Sequence, residues 1–147
     1  MMTINKWFYN ASFQAAWNNI RKPTMFETNR SVVMLIPQEP FWAWLNGLPD
    51  SDLSDLSLED LQDDPNAYLI DACDDIDQAW DEIISRLDEL FSAELADWCE
   101  DPEFWPDINP EIFTEWFEVR ISTIVADLPN KEMQRTPFEP IILKPDA

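Results

Sequence analysis

The sequence predicts an α+β fold, a small three-stranded sheet with one long and several short helices packed on it. Three observations lead there. Short apolar, β-branched runs occur at residues 31–36, 67–70 and 119–126, each bounded by turn or proline signals. Residues 76–98 keep one apolar face at helical spacing over about six turns. The chain has 147 residues, 46% of them hydrophobic, with 8 Trp, 9 Phe and 2 Tyr. That length allows a real core, and the aromatic cargo must go into it or into an interface. One sheet with helices against a face is the simple way to bury such stripes.

In order along the chain, Ser31 to Ile36 reads as a buried strand closed by Pro37. Pro40 suits the first turn of a short helix. Phe41, Trp44, Leu45 and Leu48 share one face of it at i, i+3, i+4 and i+7. Gly47, the sole glycine, stands where a helix C′ residue belongs. Trp42 falls off that face and is a candidate exposed aromatic. Ser57 followed by Glu59 and Asp60 is an N-cap with carboxylates in the first turn, favouring a short helix to Gln62. Pro65 and Asn66 end it, and Ala67 to Ile70 is a second strand.

Ile76, Ala79, Trp80, Ile83, Ile84, Leu87, Leu90, Phe91, Leu95 and Trp98 then predict one long helix. Pro102 and Pro106 break the chain after it. Asn109, Pro110 and Glu111 form a start signal, with Ile112, Phe113, Trp116 and Phe117 as the apolar face that follows. Val119 to Ala126 is the third expected strand, stopped by Pro129.

Charge sets the domain organisation. Residues 1–30 hold Lys6, Arg21, Lys22 and Arg30 against Glu27, and the acidity belongs to the remainder. The expected division is a basic, aromatic extension over 1–28, an acidic α+β domain over 29–128, and a Pro-rich tail over 129–147. Two readings stand for the extension. One is an amphipathic arm that docks on a membrane or on the acidic body. The other is a non-native extension with the true start at Met25.

The function classes narrow by exclusion. There are 30 acidic residues, 9 basic residues and no His, a net charge of −21. A small soluble domain usually carries about 2–8. Such an excess repels phosphate, so direct nucleic-acid binding by a basic face is not expected. The lack of His removes Ser-His-Asp and Cys-His nucleophile systems and His metal ligands. A single Gly cannot build a phosphate-binding loop. The aromatic content argues against disorder. Cys73 and Cys99 are too far apart for a CxxC motif, and a disulfide between them is left open. No run of 18 apolar residues and no signal-peptide core occur, so a cytoplasmic protein without a transmembrane segment is expected. Monomer and homodimer are both open.

Carboxylates cluster at Asp50, Asp52, Asp55, Asp63 and Asp64, and again at Asp71, Asp74, Asp75, Asp77 and Asp81. An EF-hand loop starting at Asp50 needs Gly where Asp55 stands and Glu where Leu61 stands, so that pattern fails. A glycosidase-like acid pair has no specificity among so many acids. No catalytic residue, cofactor or metal site is assigned. The positive signal is the acidic surface. On the expected long helix Asp77, Asp81, Ser85, Asp88 and Ser92 run opposite the apolar stripe. Carboxylates four residues apart lie roughly 6 Å apart, in the size range of phosphate spacing along one strand.

One sequence resemblance bears on these readings. Asn29 to Val33, Pro40-Phe41, Trp44-Leu45, Ala67 to Ile70, Phe91, Glu94-Leu95, Trp98, Trp105-Pro106 and Trp116-Phe117 resemble a small acidic bacterial family without an assigned activity. The likeness covers about residues 29–128. It implies a compact bacterial cytoplasmic domain, carries over no functional residue, and favours the non-native reading of residues 1–27.

The expected function is therefore a non-enzymatic binding protein that occludes a basic macromolecular partner, as a nucleic-acid mimic or an immunity-type inhibitor. The acids named above, with Asp88, would steer it, and exposed Trp42 or Trp105 would anchor it. The alternatives are a carboxylate-dependent divalent-metal hydrolase gathering Asp71, Asp74, Asp75 and another acid, and a domain whose acidity only solvates it.

Overall fold

The computed structural model of the chain describes residues 25–49 and 51–138. Residues 1–24, Asp50 and the last residues of the tail lie outside them. In chain order the elements are strand β1 (Phe26–Glu27), strand β2 (Arg30–Pro37), helix α1 (Glu39–Asn46), helix α2 (Leu58–Asp63) and strand β3 (Asn66–Asp71). Helix α3 (Ile76–Ser85), helix α4 (Leu87–Ala96), a 3-10 turn (Pro102–Phe104), helix α5 (Pro110–Trp116), strand β4 (Phe117–Ser122) and strand β5 (Ala126–Asp127) follow. The class is α+β.

The described residues fall into two units. In one, residues 25–28 and 126–133, strands β1 and β5 pair antiparallel with Phe26 opposite Asp127. The other comprises residues 29–125 and 134–138, and holds a three-stranded antiparallel sheet in the order β3-β2-β4 with the helices. Strand β2 is central because it is apolar on both faces. Ser31, Val33 and Leu35 are buried on one side, and Ile36 and Pro37 close it. Val33 stands opposite Tyr68 on β3 and Ile121 on β4, and Leu35 opposite Asn66 and Val119. Pro37 donates no ladder bond, and it is tolerated at the end of the strand.

Local chemistry starts the helices where the sequence places them. Ser57 accepts from the Asp60 N–H while the Asp60 carboxylate accepts from the Ser57 N–H, a complete capping box. Asn109 accepts from the Ile112 N–H at 2.9 Å, and Pro110 opens α5. Asp75 caps α3 through the Gln78 N–H at 2.8 Å.

Helix α4 is the spine of the core. Phe91 is fully buried, with ring centroids 5.6 Å from Phe113, 5.8 Å from Trp116 and 5.7 Å from Phe117. Phe41 of α1 meets Phe117 at 5.2 Å and joins the same cluster. The buried Ser31 hydroxyl is satisfied, donating to the Thr123 carbonyl and accepting from the Cys73 N–H.

Three expectations are corrected. The long helix is two helices. At Arg86 the backbone leaves helical geometry, with φ −112° and ψ 20°, so the apolar stripe does not run on in phase. Ile76, Ile84 and Trp98, expected on the buried face, are among the exposed large apolar residues. The third strand is split: β4 starts at Phe117 and ends at Ser122, and Ala126–Asp127 belongs to the other ladder. At that break the Ser122 hydroxyl donates to the Ile124 carbonyl, a local bond that competes with sheet pairing. Gly47 is the C-cap of α1 but keeps right-handed geometry, with φ −88° and ψ −5°, so no left-handed residue ends this helix.

Candidate functional site

The carboxylates singled out by sequence lie on several elements. Asp52 and Asp55 sit in the loop between α1 and α2, Asp63 ends α2, and Asp64 is its C-cap. Asp77 and Asp81 lie on α3, and Asp88 is in the first turn of α4. All of these are exposed. Asp50 lies outside the described residues. The Asp52 carboxylate accepts from the Ser54 hydroxyl at 2.9 Å and from the Ser54 N–H, which holds its pKa below the usual value. The single row expected along one helix does not form. Asp77 and Asp81 share α3, but Asp88 lies beyond the break.

Among the described residues cations barely answer this surface. Arg86 is the only Lys or Arg between Arg30 and Arg120. It stands at the break and pairs with Glu82 at 2.6 Å and Glu89 at 3.5 Å. Among the described residues none of Asp52, Asp55, Asp63, Asp64, Asp77, Asp81 and Asp88 takes part in an ion pair.

Trp42 and Trp105 are half-buried against the core rather than exposed. Trp105 also spends its indole N–H on the Cys99 carbonyl at 2.9 Å. Trp98 and Phe104 are more exposed than either. Their flank holds an apolar pocket of about 250 Å³ between Leu45, Leu48, Leu53 and Cys99.

The metal alternative does not assemble. Asp75 is committed to capping α3, and the Asp74 N–H donates to the Gln78 side chain. No group of three or more carboxylates and thiols among the described residues could hold a metal ion. Cys73 and Cys99 are both free, and burial pushes the Cys73 thiol pKa up. No helix among the described residues is long and apolar enough to cross a membrane.

The concave feature with the sharpest chemistry was not singled out as a site from sequence. Glu94 on α4 is only 4% exposed, and among the described residues it takes part in no ion pair. Its Oε2 accepts from the Asn66 amide at 2.5 Å and from the Tyr68 hydroxyl at 2.7 Å, both on β3. Burial, above all, raises the Glu94 pKa, and Asp97 adds to the rise. The Asn66 and Tyr68 bonds pull the other way. Tyr68 is raised as well, first by burial and then by the Glu94 charge, so it stays a hydroxyl donor. Glu94 lines a cleft of about 180 Å³ with Phe41, Asp64, Asn66, Asp97 and Trp98. The signal was in the spacing: Glu94 falls within the apolar stripe of Leu87, Leu90, Phe91, Leu95 and Trp98.

This arrangement offers an acceptor-only oxygen at the base of a partly apolar cleft, flanked by two further carboxylates and an indole. No protein-family model matches the chain, and neither a curated protein nor a solved structure matches it.

Proposed function

We propose that this chain is a non-enzymatic cytoplasmic binding protein that occludes a basic macromolecular partner. The observation that carries the reading is the unanswered acidic surface. Asp52, Asp55, Asp63, Asp64, Asp77, Asp81 and Asp88 are exposed and outside every ion pair among the described residues. Charge of one sign on a folded frame gives fast, salt-sensitive association with the opposite sign and rejects phosphate. The break at Arg86 interrupts the regular row that strand-by-strand mimicry of DNA would use. That favours an immunity- or inhibitor-type contact with a basic protein groove over a phosphate-by-phosphate copy. Trp98 and Phe104, exposed where Trp42 and Trp105 are half-buried, supply aromatic anchors. The resemblance to small acidic bacterial proteins belongs to the same proposal and adds no residue to it.

The test is capture from host lysate on the tagged full chain, eluted by a salt gradient, beside a variant carrying Asp52→Asn, Asp55→Asn, Asp63→Asn and Asp64→Asn. A stoichiometric basic protein, released at moderate salt and missing from the variant column, is the expected result. An empty column with a folded wild-type chain refutes the reading.

A further inference from the structure

We infer that the cleft over Glu94 is a recognition site for a guanidinium group. An ionised carboxylate is an acceptor with about four lone-pair sites, and a buried one needs its donors. Both bonds to Glu94 fall on Oε2, and among the described residues none falls on Oε1. Among the described residues no Lys or Arg pairs with it. A charge at 4% exposure with one oxygen unserved is costly unless something else supplies donors and positive charge.

The cleft says what that something is. Its volume of about 180 Å³ is below the roughly 300–1,000 Å³ of sites for drug-sized ligands, so it suits a head group rather than a whole molecule. Asp64 and Asp97 add negative charge at its rim, while Phe41, Leu61 and Trp98 make its walls. A primary ammonium is compact and strongly hydrated, and apolar walls oppose its entry. A guanidinium is planar, weakly hydrated and able to stack on an indole. Its five N–H donors can serve Glu94 Oε1 and a rim carboxylate together. Asn66 and Tyr68, already bonded to Oε2, hold the carboxylate in place beforehand.

The chemistry has two sources, an arginine on a partner's surface or a small guanidino compound. The first rests on the binding reading above, and the second does not. The experiment titrates the full chain with methylguanidinium, with neutral methylurea as the shape control, followed by the Trp98 indole N–H signal in NMR. Saturable binding of methylguanidinium alone is expected. Glu94→Gln keeps a carbonyl oxygen for Asn66 and Tyr68 and removes the charge. It should weaken binding about tenfold to a hundredfold, the worth of a charge-assisted bond. Should that variant not fold, Asp97→Asn at the exposed rim carries the test, with a several-fold loss expected. Equal response to the two probes, or unchanged affinity in the folded variant, overturns the inference. Agmatine and a blocked Gly-Arg-Gly peptide separate the sources: the tighter binder names the natural occupant. Because the probes are small, an empty capture column leaves this result standing, and a failed titration leaves the occlusion reading standing.

Discussion

Replacing Phe91 by Ala tests whether the aromatic cluster on α4 holds the fold together. Phe91 is fully buried, so the change removes the whole ring from a closed environment. Phe→Ala at such a site costs about 3–5 kcal/mol, the transfer of the lost atoms plus the cavity they leave. Three ring partners, Phe113, Trp116 and Phe117, lie at 5.6, 5.8 and 5.7 Å, and Phe113 and Phe117 are themselves fully buried. Rings already packed on one another cannot readily collapse into the gap, so the upper part of the range applies, about 4–5 kcal/mol. With a urea m-value of about 2 kcal/mol/M, the unfolding midpoint moves down by roughly 2 M. A domain of ordinary stability, about 5–15 kcal/mol, is left barely folded by that loss. Phe91→Leu is the safer companion, expected to cost about 1–2 kcal/mol because most of the volume remains. The assay is urea unfolding followed by tryptophan fluorescence and circular dichroism. A midpoint shift under about 0.5 M for Phe91→Ala, with the slope unchanged, would refute the placement of this ring at the centre of the core.

Three further outcomes follow from single residues. Gly47→Ala should stabilise by about 0.4–1 kcal/mol, since φ is −88° and a Cβ would meet the nearest carbonyl oxygens at 3.5 and 3.6 Å. A lower melting temperature in that variant contradicts the right-handed cap. Ser57→Ala removes the acceptor of the capping box and should cost about 1 kcal/mol, while Ser57→Asp should hold the loss to a few tenths by calorimetry. Glu94 sets a pH dependence. Its folded pKa is raised above the ordinary 4.5, so between the two values the folded chain binds more protons than the unfolded chain. Its contribution to stability is present below pH 4.5 and is lost as pH rises through the folded value. Tyr68, Asn66 and Asp97 face it, and none of them is a cation. Glu94→Gln should lack that fall when melting temperature is followed against pH, and an identical profile in variant and wild type would exclude a buried titrating Glu94.

What could be read from the sequence was set by local chemistry. Strand β2 announced itself through a continuous apolar run, and α2 and α5 through the side chains of Ser57 and Asn109, which act within three residues of themselves. The break at Arg86 had no such herald, because neither Gly nor Pro stands there. It is imposed by packing: α4 buries Leu87, Leu90, Phe91, Ala93, Glu94, Leu95 and Ala96, far more than one stripe, while α3 buries only Ala79 and Ile83. Two helices with such different surroundings need not share a face, although their apolar residues share a period. The site was legible in half. Glu94 occupied an apolar position, which marks an acid that must find donors. That those donors are Asn66 and Tyr68, 28 and 26 residues earlier in the chain, is a long-range pairing that no local spacing encodes.

The placement of acids in this fold separates two uses of charge. Ion pairs contribute little to stability, since Arg86–Glu82, Arg86–Glu89 and Arg120–Glu118 lie on side chains that solvent reaches. A net charge of about 2–8 is usual for a small soluble domain, and further like charge repels itself. A surplus of that size fits a complement supplied from outside, as the occlusion proposal has it. Glu94 differs from that surface in kind. Outside acids act over a Debye length of about 10 Å and fade with salt, whereas a carboxylate at the base of a cleft is screened far less. If both uses hold, salt should slow the approach of a basic partner much more than it loosens a guanidinium once seated.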